Sequence, residues 1–133
     1  MTLEEALHLE IGAAHRSYVY LLDGPDDHWK TEAEFEADGG GDCEDWSAFC
    51  IIRACRRVLL TVPTLPETIG MVIGDAPGRH AWIGLGVDLS RLWFEAGPGA
   101  PFVSGKPWQF DRTARYGRRF VPGIGFLDSQ VYV

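Results

Sequence analysis

Three side chains in this sequence have the types and spacing of a nucleophilic relay. Cys43 lies in the run GDCEDW, His80 heads the run HAWIGLGVD, and Glu95 follows fifteen residues later in LWFEA. A thiol attacks carbonyl carbon only as its anion, so Cys43 needs a group to take its proton. His80 can take it and form an ion pair with the sulfur. Glu95 can hold the far ring nitrogen and fix the tautomer. At a helix start, the Cys43 backbone N–H can bind the oxyanion that develops on the attacked carbonyl. Asp42, Glu44 and Asp45 work against a nearby thiolate. Two arrangements relieve that conflict: a close His80, or a bound cation such as calcium that neutralises the acids. The plain alternative is a buried structural thiol, with the acids acting as helix caps and dipole partners. His80 alone also reads as an ordinary hydrogen-bonded strand histidine.

The elements that must position these groups are legible in outline. Thr2 with Glu5 is a capping-box pattern, and Leu3, Leu7, Ile11 and Ala14 recur at helical spacing, predicting a helix to about Tyr20. DGPDD at 23–27 is a turn-rich break. Thr31 with Glu34 opens a short helix to about Ala37, which Gly39, Gly40 and Gly41 end. Asp42 is then an N-cap with Asp45 three residues on. From Cys43 to Leu60 the chain is apolar around much of a helical circumference, predicting a central buried helix. Cys50 and Cys55 fall inside it as small buried hydrophobes; three cysteines at these spacings suit neither a disulfide framework nor a zinc or redox pair.

Pro63 and Pro66 close the helical half. Strands are predicted at Ile69–Gly74, His80–Val87, Leu92–Ala96, Trp108–Arg112, Arg118–Val121 and Phe126–Val133, separated by Gly- and Pro-rich turns. Helices followed by strands with short connections predict an α+β fold with an antiparallel sheet, in one domain spanning 1–133. Along HAWIGLGVD, His80 and Trp82 share one face while Ala81, Ile83, Leu85 and Val87 share the other. Trp93 and Glu95 share a face in the next strand. If the two strands pair as a hairpin, His80 and Glu95 become neighbours. Asp88 competes with Glu95 as the orienting acid, but it precedes a turn and has the opposite strand parity.

Composition narrows the partners. The chain has 133 residues, 46% of them apolar, and a formal net charge of −7. That charge repels a phosphate backbone, so nucleic acid is not expected; Arg112, Arg115, Arg118 and Arg119 read as a solvated basic strand pair. No run of eighteen apolar residues is present, so no membrane span is expected. The chain as read opens without a secretory leader, which points to the cytoplasm; a leader already removed would point to the periplasm.

The runs GDCEDW, HAW and WFEA, with HWKTEAEFEADGGGDCED at 28–45, resemble the bacterial transglutaminase-like cysteine peptidases, including the LapG type, over roughly residues 18 to 96. The resemblance implies a papain-like α+β core, with N-terminal helices and a Cys-bearing central helix packed on a C-terminal antiparallel sheet. It implies Cys43 as nucleophile, His80 as general base and acid, and Glu95 in the place where the family usually carries Asp. It implies amide hydrolysis of a protein or peptide through an acyl-enzyme, with transamidation if an amine replaces water. No cofactor is required. Calcium is a further candidate, because acids flanking the cysteine help bind it in LapG-type members and Asp42 and Glu44 stand in those places. Trp29 and Trp82 are candidates to line the substrate cleft, or else core aromatics; the Trp29 indole N–H is also a candidate oxyanion donor. Two rival functions remain open at this point: a catalytically silent binding or structural module on the same scaffold, and a calcium-responsive regulator. The oligomeric state is not legible.

Overall fold

A computed structural model describes residues 1–22, 28–100 and 103–131. In chain order the elements are α1 (Leu3–Ser17), β1 (Val19–Tyr20), α2 (Glu32–Asp38), β2 (Gly40–Gly41), α3 (Cys43–Leu59), β3 (Ile69–Asp75), β4 (Arg79–Leu85), β5 (Leu92–Phe94), β6 (Ser104–Gly105), β7 (Thr113–Val121) and β8 (Gly125–Ser129). Short 3-10 turns cover Val87–Leu89 and Pro107–Gln109. The six C-terminal strands form one antiparallel sheet in the order β6-β5-β4-β3-β7-β8. The fold class is therefore α+β, as expected.

All three helices begin where a side chain meets their unpaired N–H groups. Thr2, Thr31 and Asp42 each close a full capping box, with Glu5, Glu34 and Asp45 returning the bond. Gly39 ends α2 in the left-handed region at φ 80°, a conformation that only glycine adopts without cost.

The core lies between the helices and one face of the sheet. Trp46, Phe49, Cys50, Ile51, Ala54 and Val58 of α3 meet Leu3, Leu7 and Ile11 of α1 and Met71, Ile73, Ala81 and Ile83 of the sheet. Burying each large side chain there stabilises the fold by about 1.5–3 kcal/mol. Glu10 is buried in the α1–α3 interface and is bonded by Arg57 at 3.0 Å and Arg53 at 3.5 Å. The opposite face of the sheet carries a second cluster of Val72, Trp82, Leu89, Trp93 and Phe110. The two central strands are thus covered on both faces, which is why β3 reads as an unbroken apolar run.

Several expectations need correction. The first helix stops at Ser17; Val19 and Tyr20 leave it to form a parallel pair with Gly40 and Gly41. Residues 108–112 are no strand: Pro107 starts a 3-10 turn, because its fixed φ and missing N–H suit a first helical position. The strand expected at His80–Val87 stops at Leu85, and Val87 enters the next turn. The strand expected at Leu92–Ala96 stops at Phe94, leaving Glu95 just beyond it. The strand expected at Phe126–Val133 spans Gly125–Ser129, and its last two expected residues, like the turn expected at 23–27, lie outside the described residues.

Candidate active site

The site is assembled at the N-terminus of α3, and the three glycines before it are needed for that. Val19 and Tyr20 lie alongside Gly40 and Gly41 in parallel register, tied by Val19 N–H to the Gly39 carbonyl at 2.9 Å and Leu21 N–H to the Gly41 carbonyl at 2.8 Å. The backbones approach so closely that a Cβ on Gly40 would sit 1.8 Å from the Val19 carbonyl oxygen. A Cβ on Gly41 would sit 2.5 Å from the Asp45 Cβ. Only glycine admits this contact, and the contact carries Tyr20 to the start of α3.

The acids around Cys43 have separate duties. Asp42 Oδ1 accepts from the backbone N–H of Glu44 and of Asp45, both at 3.1 Å. Asp45 is buried; it accepts from the N–H of Asp42 at 3.1 Å and of Lys30 at 2.8 Å, so it pins the segment after residue 28 against the helix start. Burial raises the Asp45 pKa, opposed by those two backbone bonds. Glu44 lines a hollow of about 420 Å³ with His28, Trp29, Arg79, Tyr116 and Arg118. Trp29 is packed in part against the core and also lines this hollow, with the Arg118 guanidinium carbon 4.9 Å from its ring centre.

Cys43 is the first residue of α3 and is half-buried. His80 pairs with Gly74 in the β3–β4 ladder, beside a register shift in β3–β7. Such irregularities re-aim side chains at strand ends. The His80 ring interacts with the Cys43 side chain, and its Nε2 lies 2.7 Å from Glu95 Oε1. With Nε2 given to the carboxylate, Nδ1 is the nitrogen left for sulfur. The predicted hairpin exists: Gly84 faces Trp93 and Leu85 faces Leu92, and Glu95 follows β5 directly. The three groups named from the sequence therefore meet, in the order sulfur, ring, carboxylate.

Burial pushes the His80 pKa down, but hydrogen bonds to Cys43 and Glu95 and the charges of both outweigh it and raise the pKa to about 9. For Glu95, burial pushes upward, and the bond to His80, then the charges of His80 and Arg112, bring the carboxyl below its ordinary value.

Two residues at the site were not singled out from the sequence. Arg112 donates from one terminal nitrogen to Glu95 Oε1 at 3.1 Å, and the Gly97 N–H donates to Oε2 at 3.3 Å. The Arg112 guanidinium carbon is 4.8 Å from the ring centres of both Trp82 and Phe110. Arg112 therefore turns inward to Glu95 and is not part of the solvated basic pair expected from the sequence. Tyr20 is the second. Its phenol lies beside Cys43; burial, then the nearby Cys43 and Asp42 charges, raise its pKa to about 12. Tyr20 also lines a hollow of about 270 Å³ with His80, Glu95, Gly97, Pro98 and Arg112.

Trp82 corrects an expectation: it is fully buried and does not wall a cleft. It stacks on His80 with ring centres 6.2 Å apart and supports Arg112 from below. Asp88 occupies a positive-φ turn, while Glu95 takes the ring. For calcium, which takes six to eight oxygens, Asp42 and Glu44 supply two carboxylates, and one of these already caps α3. Among the described residues no group of three or more His, Cys, Asp or Glu side chains is placed to hold a metal ion. Nor is any helix among them long and apolar enough to cross a membrane.

No protein-family model matches the chain, and no curated protein sequence matches it. Solved structures do. Calcium-bound LapG of Legionella pneumophila superposes with a TM-score of 0.66 at 20% identity, covering 96% of this chain and 70% of that one. The EGTA-treated form gives 0.69 at 18% identity, covering 98% and 69%. The chain thus has the fold of LapG, a transglutaminase-like cysteine peptidase.

Proposed function

We propose that the protein is a cysteine-dependent amide hydrolase working through Cys43, His80 and Glu95. The observation that carries this is the single His80 ring, which interacts with Cys43 and lies 2.7 Å from Glu95. Neither a structural thiol nor a lone strand histidine requires that arrangement. His80 Nδ1 takes the thiol proton, and the sulfur attacks the carbonyl carbon of a peptide or side-chain amide. Glu95 accepts the ring's Nε2–H and stabilises the imidazolium. The Cys43 N–H at the head of α3 donates to the oxyanion. His80 returns its proton to the leaving amine as the C–N bond breaks, leaving a thioester. Water, deprotonated by the same ring, then attacks the thioester and releases the acid. An amine in place of water gives a new amide, by the same steps.

Tyr20 supplies the second oxyanion donor. The phenol lies beside Cys43, where it can turn to donate its own proton to an entering carbonyl. With a pKa near 12 the phenol keeps that proton through the reaction. Tyr20→Phe is expected to lower kcat by about 10²-fold with little change in KM, the size of effect seen on removing one oxyanion donor. Steady-state release of a fluorescent amine checks it, and an unchanged kcat removes Tyr20 from the mechanism.

The reading itself is tested with a library of peptide aminomethylcoumarin amides. Wild-type protein is expected to release coumarin from a subset, and Cys43→Ser from none. Equal release by Cys43→Ser overturns the proposal. So does a silent wild type whose Cys43 reacts with iodoacetamide no faster than glutathione does.

A further inference from the structure

A hollow of about 590 Å³, within the usual range for ligand sites, opens beside β5 and the 3-10 turn at 107–109. Trp93, Trp108 and Phe110 give it an aromatic wall, and Arg91, Lys106 and Arg112 a cationic one. In a chain of net charge −7, no Asp or Glu lines it among the described residues. The three cations differ. Arg91 is held by Glu67 at 2.6 and 2.9 Å, and Arg112 by Glu95. Lys106 forms no ion pair among the described residues; its Nζ reaches only the Arg91 carbonyl oxygen, at 3.5 Å.

Trp108 is 82% exposed. Its turn is fixed from both ends: Lys106 N–H donates to Gln109 Oε1 at 2.6 Å and Phe110 N–H to the Pro107 carbonyl at 3.2 Å. A large ring held open to water on a rigid turn gains apolar burial from a ligand while losing little further entropy.

We propose that this hollow binds an acidic peptide segment bearing an aromatic residue. The aromatic side chain packs on Trp93, Trp108 and Phe110, and a neighbouring carboxylate meets Lys106 Nζ. The proposal goes beyond the hydrolase reading and does not require a reactive Cys43. Arg112 is a wall of both this hollow and the one beside His80, so the bound segment lies next to the catalytic cleft.

The test uses full-length Cys43→Ser protein, labelled with nitrogen-15, titrated with N-acetyl-Asp-Phe-amide, N-acetyl-Lys-Phe-amide and a short oligothymidylate. The Asp-Phe peptide is expected to shift the Trp108 indole and Lys106 amide resonances saturably, and the Lys-Phe peptide to bind at least tenfold more weakly. Lys106→Glu and Trp108→Ala, both exposed positions whose spectra report folding directly, are each expected to weaken Asp-Phe binding at least tenfold. Because the sulfur is absent, failure of the hydrolase reading leaves this result untouched. The proposal is overturned if both peptides bind equally, if the oligothymidylate shifts the same resonances, or if no peptide shifts Trp108 and Lys106 at millimolar concentration.

Discussion

His80→Gln is expected to lower kcat/KM for amide hydrolysis by about 10⁴-fold, which is the scale on which removal of a triad member acts. The ring is asked to do two proton transfers, first from sulfur and then to the leaving amine, and no other group described beside Cys43 can do both. Tyr20 holds its proton too tightly, with a pKa near 12. Glu95 touches the ring at 2.7 Å and reaches sulfur only through it. Glutamine keeps the approximate size and a hydrogen bond to Glu95 but accepts no proton at neutral pH. The wild-type profile should fall on the alkaline side around pH 9, where the ring loses the proton that the leaving amine needs. A variant within tenfold of wild type, or one that keeps the alkaline fall, would remove His80 from the chemistry. Folding of the variant is monitored separately, because the same ring also contributes to stability.

That contribution gives the second large effect. The His80 pKa is raised from 6.5 to about 9 in the folded chain, so the native state holds this proton more tightly than the unfolded state does. That stabilisation is fully present below about pH 6.5 and lost as pH rises through about 9. Glu95 acts in the opposite sense. Its carboxyl is held below 4.5, so its contribution is present above that value and lost as pH falls. Together the pair favours the native state most between about pH 4.5 and 6.5. Urea midpoints at about pH 5.5, 7.5 and 9.5 should fall on the alkaline side for wild type, while His80→Gln should be much flatter. Parallel curves for the two proteins would show that the ring's proton is not coupled to folding.

Much of this site could be read before any coordinates, because it rests on local rules. Asp42 and Asp45 mark a helix start by side-chain chemistry alone. Strand parity makes His80 and Glu95 neighbours on one face once their two strands pair as a hairpin. What escaped the sequence has non-local causes. Val19 and Tyr20 follow an apolar helix directly, and a two-residue strand has no period to detect. Their partner is a pair of glycines whose backbone, not side chain, makes the contact. Arg112 sits in a stretch of charged and polar residues. Its acceptor lies seventeen positions earlier and one stacking partner, Trp82, belongs to β4, so only the tertiary fold brings them together. Trp108 looked like a strand residue by composition, although Pro107 before it already signalled a helical first turn.

The burial of Cys50 and Cys55 bears on what happens when the protein meets peroxide. Both sit in hydrocarbon, which raises the pKa of each thiol, that of Cys55 to about 12. Among the thiols, an oxidant therefore finds the one at position 43. A sulfenic acid formed there would ordinarily be rescued by condensing with a second thiol of the same chain. Cys50 is seven residues further along the same helix, about 10 Å by helical rise, beyond the span a disulfide bridges. Damage at Cys43 thus has no repair partner inside this fold. Recovery depends on a reductant from outside, and the protein's working life under oxidative load follows the supply of that reductant.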